Sequence, residues 1–125
     1  MLKDNATVAN LAVRDIAAAR KFYEDTLGFE IADQEGEDVC AYESGSSRFL
    51  IYQSDYAGTN KATAMTWVVG DNVEKVTEEL KEKGVKFERY DMPDLKRKGD
   101  IYMNDHMQVA WFKDPDGNIL NIVSG

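Results

Sequence analysis

His106 is the single histidine of the chain and stands beside a carboxylate in Asn104-Asp105-His106. Imidazole titrates in a useful range, so an Asp-His pair could serve as a general base. Adjacent strand residues point to opposite faces, however, which places Asp105 badly for orienting the ring, and no nucleophilic triad can be drawn around it. His106 therefore reads as an exposed loop residue. Cys40 is the only cysteine, which excludes an intramolecular disulfide and a cysteine-built zinc site. It reads as a small core residue on a strand. Lys96-Arg97-Lys98 is the one basic cluster and reads as solvated loop charge, with an anionic ligand at a cavity mouth as the functional alternative. Aromatic chemistry remains. Tyr42, Tyr102, Met103 and Trp111 are suited to line a pocket for a flat aromatic ligand. Trp67 shares its strand face with Met65 and Val69 and is expected to pack under a helix.

The element that must place Trp111 is a hairpin around Asp114-Pro115-Asp116-Gly117. Pro115 presets φ, Asp114 can bond back to the backbone, and Gly117 closes the turn. Apolar runs Val109–Phe112 and Ile119–Val123 flank it. Residues 41–52 echo residues 111–122 at an offset of 70, with a Ser/Gly turn in place of Asp-Pro-Asp-Gly.

Upstream, Thr7–Val13 reads as a strand and Asp15 as the N-cap of a helix whose stripe is Ile16, Ala19, Tyr23 and Leu27. Gly28 ends that helix. A strand at Phe29–Gln34 and the hairpin Val39–Tyr42 with Phe49–Gln53 complete the first half. After a polar stretch the order restarts. Ala64–Val69 is a strand, Asp71 with Glu74 has capping-box spacing, Val73, Val76 and Leu80 form a helical stripe, and Gly84 ends it. Val13-Arg14-Asp15 and Gly28 recur at Val69-Gly70-Asp71 and Gly84, an offset of 56, so the second half carries 14 additional residues before Val109. They fall around Tyr90–Asp100, where the choice lies between a binding loop and an idle surface excursion. The whole is expected to be one domain over 1–125, with module one at about 5–54, a linker at about 55–61 and module two at about 62–125.

Composition supports a folded chain of 125 residues, 43% hydrophobic and 30% charged. A net charge of −8 argues against nucleic acid or an anionic membrane as partner. No signal-peptide hydrophobic region and no bilayer-length apolar run is visible, so a cytoplasmic protein is expected.

Asn10-Leu11-Ala12-Val13-Arg14-Asp15, Lys21-Phe22-Tyr23-Glu24-Asp25-Thr26-Leu27-Gly28-Phe29 and Phe112-Lys113-Asp114-Pro115-Asp116-Gly117-Asn118 together resemble the vicinal oxygen chelate superfamily of glyoxalase I, extradiol dioxygenases and bleomycin-resistance proteins. The resemblance covers nearly the whole chain. It implies an α+β fold of tandem βαβββ modules curled into a half-open barrel, with a small-molecule site on the concave face and a homodimer as the assembly. Metal-dependent members place one ligand on the first strand and one on the last strand of each module. Carried onto this sequence, those positions are Val8, Ile51, Ala64 and Asn121. Three lack a donor atom, and a shift of one residue, to Thr7, Ala9, Leu50, Tyr52, Thr63 or Met65, restores no ligand set. No metal or other cofactor is therefore expected, and with it goes the Lewis acid of the family's enzymes.

What remains is an expected concave face carrying Val8, Asn10, Ala12, Ile51, Ala64, Thr66, Val68, Ile119 and Asn121. Asn10, Thr66 and Asn121 could orient a ligand there, with Ile51, Tyr42, Tyr102, Met103 and Trp111 completing the ligand-binding set. The reading is a metal-free binder of an apolar or aromatic small molecule. Two alternatives stand beside it. One is an enzyme, either a lyase, isomerase or dioxygenase relative with other metal ligands, or an acid–base catalyst using His106. The other is a filled barrel that serves protein association.

Overall fold

The computed structural model describes the backbone of residues 1–125 and every side chain except that of Glu35. The chain forms two compact units, Met1–Thr59 with Pro115–Asn118, and Asn60–Asp114 with Ile119–Gly125.

In unit 1, strand β1 (Ala9–Val13) leads into helix α1 (Ile16–Arg20), followed by β2 (Ile31–Glu35), β3 (Val39–Ser44) and β4 (Ser47–Gln53). Asp15 caps the helix, its carboxylate accepting from the Ala18 N–H at 3.1 Å. The helix continues as a wider π turn over Lys21–Thr26 and stops at Gly28, whose φ of +83° suits glycine. The sheet order is β1-β4-β3-β2, with β1 and β4 parallel and the other pairs antiparallel. Leu11, Val13, Cys40, Tyr42, Phe49 and Ile51 are buried together under Ala19 and Tyr23 of the helical segment. Cys40 is thus a core residue, and burial pushes its thiol above the usual range.

The turn Pro115–Asn118 belongs to this unit. The Arg14 N–H donates to Asp116 Oδ1 at 2.9 Å, and Asn118 Nδ2 donates to the Ala12 carbonyl at 2.8 Å. Gly58 lies against the turn at φ +72°, and a Cβ there would fall 2.0 Å from the Asp116 carbonyl oxygen.

Unit 2 runs β5 (Thr63–Val68), a 3₁₀ turn (Gly70–Asn72), α2 (Val73–Glu82), β6 (Phe87–Glu88), β7 (Lys96–Lys98), β8 (Ile101–Met103), β9 (Gln108–Lys113) and β10 (Ile119–Val123). Its order is β5-β10-β9-β8-β7, with β6 also on β9. The capping box expected at Asp71 and Glu74 is not used. Asp71 is taken into the 3₁₀ turn, and α2 begins after Asn72 with no side-chain cap bond.

Both units are thus βαβββ modules of an α+β fold, and the extra residues of the second have a definite place. Along β3, β2 pairs from Ile31 opposite Tyr42 to Glu35 opposite Val39. Along β9 that stretch is shared by two short strands, with Phe87 opposite Phe112 and Tyr102 opposite Val109. The insertion interrupts one strand and adds β7 as a new edge.

The hairpin echo needs a correction of one residue. The helix-facing pair Tyr42–Phe49 corresponds to Phe112–Leu120, so the second hairpin holds one residue more than the first. The last strands therefore correspond at an offset of 71. Since strand side chains alternate, a slip of one reverses the face. Ile51, expected on the ligand face, instead pairs with Leu11 and Cys40 on the helix side and is 0% exposed. Leu50, opposite Asn10 and Ala41, takes the position that Asn121 has opposite Thr66 and Trp111.

Candidate functional site

β9 sorts its side chains by alternation. Ala110 and Phe112 are buried on the α2 side, where Phe112 stacks on Trp67 at 6.2 Å and 13°. Trp67 therefore packs beneath a helix, as its strand pattern suggests. Trp111 points to the other face, half-buried, and its Nε1–H donates to Thr63 Oγ1 at 3.1 Å.

Three groups surround that indole. Tyr102 makes a T-shaped contact with it at 5.5 Å and 70°, and Tyr90 another at 5.5 Å and 81°. The Tyr102 hydroxyl donates to the Tyr90 carbonyl at 2.7 Å and accepts from the Tyr90 N–H, so it clamps the start of the inserted segment to β8. Asn121 lies directly opposite Trp111 in the β9–β10 ladder and beside Thr66 of β5. Direct ladder partners share a face, so Thr66, Trp111 and Asn121 form one surface, which Tyr102 joins two residues along.

The electrostatics of this surface are unusual. Asn121 is 7% exposed, its Oδ1 is buried, and among the described residues its side-chain amide makes no hydrogen bond. The Tyr90 hydroxyl is likewise buried without a partner among the described residues. Each orphan of this kind costs about 1–3 kcal/mol unless something supplies the missing bond. Burial, reinforced by the Glu88 carboxylate and opposed by Lys113, raises the Tyr90 pKa, so its hydroxyl keeps its proton. Glu88, opposite Trp111 on β6, is itself paired with Lys113 at 3.1 Å.

Of the residues expected to bind a ligand, Thr66, Tyr102, Trp111 and Asn121 lie together on this face. The others are elsewhere. Tyr42, expected beside a pocket, is 0% exposed in the unit 1 core. Counting by the hairpin echo matches it to Phe112, not to Trp111, and so to the helix side. Met103 pairs with Gln108 on the α2 side and lines a separate cleft of about 430 Å³ with Thr77, Lys81 and Lys98. Asn10 is exposed on β1, its Nδ2 donating to the Val8 carbonyl at 3.0 Å.

His106 is exposed in the β8–β9 turn, where its N–H donates to Asn104 Oδ1 at 2.8 Å. The basic cluster is strand β7, and Arg97 Nη1 donates to the Gly99 carbonyl at 2.8 Å. Type and spacing do not single out Tyr90, whose signal in the sequence is its position as an aromatic residue opening the inserted segment.

The sequence model of the Glyoxalase/Bleomycin resistance protein/Dioxygenase superfamily matches residues 6–122. The chain belongs to that superfamily. No curated protein sequence matches it. Among solved structures it is similar to a bleomycin-binding protein complexed with bleomycin, at 17% identity over 97% of this chain and 98% of that one, with a TM-score of 0.71. It is similar to lactoylglutathione lyase from Agrobacterium tumefaciens at 14% identity over 95% and 92%, TM-score 0.71. It is also similar to UcmS2 at 17% over 97% and 98%, TM-score 0.76. At such identities the likeness is one of fold. No helix of the described residues is long and apolar enough to cross a membrane.

The superfamily's divalent metal does not fit this chain. Val8 and Ala64 offer only hydrocarbon. With the register corrected, so does Leu50, while Ile51 is sealed in the core. Asn121 contributes one neutral amide, and among the described residues no three His, Cys, Asp or Glu side chains gather as a ligand set. A hard divalent cation needs several oxygen or nitrogen donors and favours charged ones.

Proposed function

We propose that this superfamily member is a metal-free small-molecule-binding protein, taking an apolar or aromatic ligand on the helix-free face of the second unit. Trp111 is the stacking platform, Tyr90 and Tyr102 hold its sides, and Asn121 with Thr66 orients the ligand by hydrogen bonds. One observation carries the reading. At the position where the family resemblance puts a metal ligand, the chain keeps a polar side chain, buries it, and gives it no partner among the described residues. A buried amide kept without a bond is costly, and a ligand-supplied bond removes that cost. The neighbour solved with bleomycin supports the ligand class only by its fold. The reading also carries the cytoplasmic location expected from the sequence itself and the homodimer that the family resemblance implies; light scattering on the purified chain tests the assembly.

The direct test is a thermal-shift screen against bleomycin and small planar aromatics, with the Trp111 indole N–H resonance as local reporter. A true ligand at a hundredfold excess over its Kd stabilises the fold by about 2.7 kcal/mol. Trp111→Ala should abolish that stabilisation. Failure of every probe to shift either signal, or hits that persist unchanged in Trp111→Ala, overturns the assignment of this face.

A further inference from the structure

The two orphaned polar atoms flank the same indole, and they differ in kind. Asn121 Oδ1 can only accept a hydrogen bond, whereas the protonated Tyr90 hydroxyl can donate one. Asn121 is the ladder partner of Trp111, and Tyr90 makes a T-shaped contact with its ring. A molecule lying on Trp111 therefore meets an acceptor on the β10 side and a donor on the side of the inserted segment. Glu88 is paired with Lys113, while Arg97, opposite Tyr102 in the β7–β8 ladder, donates to the neutral Gly99 carbonyl and keeps its charge.

We infer that the ligand of this face is a planar heteroaromatic molecule that carries an N–H or O–H donor for Asn121 and a carbonyl-type acceptor for Tyr90, as in a ring lactam. The inference rests on the binding reading above and narrows it. A flat apolar hydrocarbon can stack on Trp111 but leaves both orphans unpaired, and a site with buried polar groups rejects such a molecule. Tyr102 is a positioning residue in this arrangement, since its hydroxyl holds the Tyr90 backbone at both its N–H and its carbonyl.

Three probes of nearly equal shape separate the possibilities: 2-quinolinone, coumarin and naphthalene. Coumarin replaces the lactam N–H by oxygen and keeps the carbonyl, and naphthalene has neither. Binding is read from the Trp111 indole N–H resonance, identified by its loss in Trp111→Phe. In the unaltered protein 2-quinolinone should bind about tenfold more tightly than coumarin, the worth of one well-made hydrogen bond in a buried site. Asn121→Leu should erase that preference. Tyr90→Phe should weaken both carbonyl compounds about equally, leave their ratio unchanged, and leave naphthalene untouched. If coumarin and naphthalene match 2-quinolinone in the unaltered protein, or the preference survives Asn121→Leu, the donor–acceptor inference is overturned while binding at Trp111 stands. If none of the three moves the resonance at saturating concentration, the binding reading itself fails and the inference falls with it. The probe comparison in the unaltered protein decides the matter even if a variant folds poorly.

Discussion

Each unit assembles an aromatic cluster on its central strands, and the two clusters are finished in opposite ways. In unit 1, Tyr42, Phe49, Tyr23 and Phe29 pack ring against ring on the helix side, with Tyr23–Phe49 at 5.6 Å and Phe29–Phe49 at 5.1 Å. The Tyr42 hydroxyl donates to Glu24 Oε2 at 2.8 Å, and Glu24 is held in turn by Arg20 at 2.9 Å. Burial, then the bond to Glu24, pushes the Tyr42 pKa well up. That cluster is closed. In unit 2, Tyr90, Tyr102 and Trp111 gather on the face away from the helix, and two polar atoms of that face lack partners among the described residues. A closed cluster contributes to stability; an unfinished one leaves hydrogen bonds for something else to make. The difference between the modules is therefore one of satisfaction, more than of composition.

Deleting a ring from each cluster should give the largest contrast. Phe49→Ala is expected to cost about 3–5 kcal/mol in denaturant unfolding, because Phe49 is 2% exposed inside the closed core. Trp111→Ala should cost roughly half as much, since its ring is only partly covered. Equal costs would show that Trp111 is a core residue of the same kind, and the contrast would be lost.

A second pair of variants should differ in sign. Tyr42→Phe removes a satisfied hydroxyl and is expected to destabilise by about 1 kcal/mol. Asn121→Leu replaces an unsatisfied buried amide with an apolar group of similar size and should raise the melting temperature, by the equivalent of about 1 kcal/mol or more. A destabilised Asn121→Leu would mean that the amide is already bonded in the free protein.

The smallest effect concerns acid. Asp100 is nearly buried, and burial alone would raise its pKa, but Lys81 at 3.1 Å and Arg89 at 3.3 Å reverse this and hold the carboxylate below its usual range. Glu24 is lowered chiefly by its hydrogen bond from Arg20, against burial and with help from Tyr42. A depressed folded pKa means that the unfolded chain takes up the proton first. The stability each carboxylate contributes is full above its unfolded value, about 3.9 for Asp and 4.3 for Glu, and is lost as pH falls through the folded one. Chemical denaturation at pH 7 and pH 3 should therefore show acid loss that shrinks in Asp100→Asn. An unchanged loss would assign the acid sensitivity to other groups.

The parts of this molecule visible in its sequence are those fixed by neighbours along the chain. Asp15, Gly28 and the Asp-Pro-Asp-Gly turn announce themselves because caps and turns are set within four or five residues. Trp67 is legible because alternation within a strand is local. The face of Ile51 is not legible because it depends on how many residues the hairpin turn holds, and a single extra residue reverses the outcome, whereas Tyr42, before the turn, is matched to Phe112 and the helix side by the echo itself. Asp71 misled because its box spacing is sound, yet the chain spends those residues on a 3₁₀ turn. Tyr90 acquires its role through Tyr102, twelve residues away, and no short-range pattern records that clamp.

The placement of Pro115–Asn118 in unit 1 has a consequence for how the protein is made. Unit 1 is not a continuous piece of polypeptide. After Thr59 the chain forms most of the second unit before it delivers the turn that accepts the Arg14 N–H and donates to the Ala12 carbonyl. Domains commonly fold from the N-terminus as they leave the ribosome. Here the first unit must wait, with those two backbone groups unmet, until residue 118 has emerged, so it closes natively only after most of the second unit has been made.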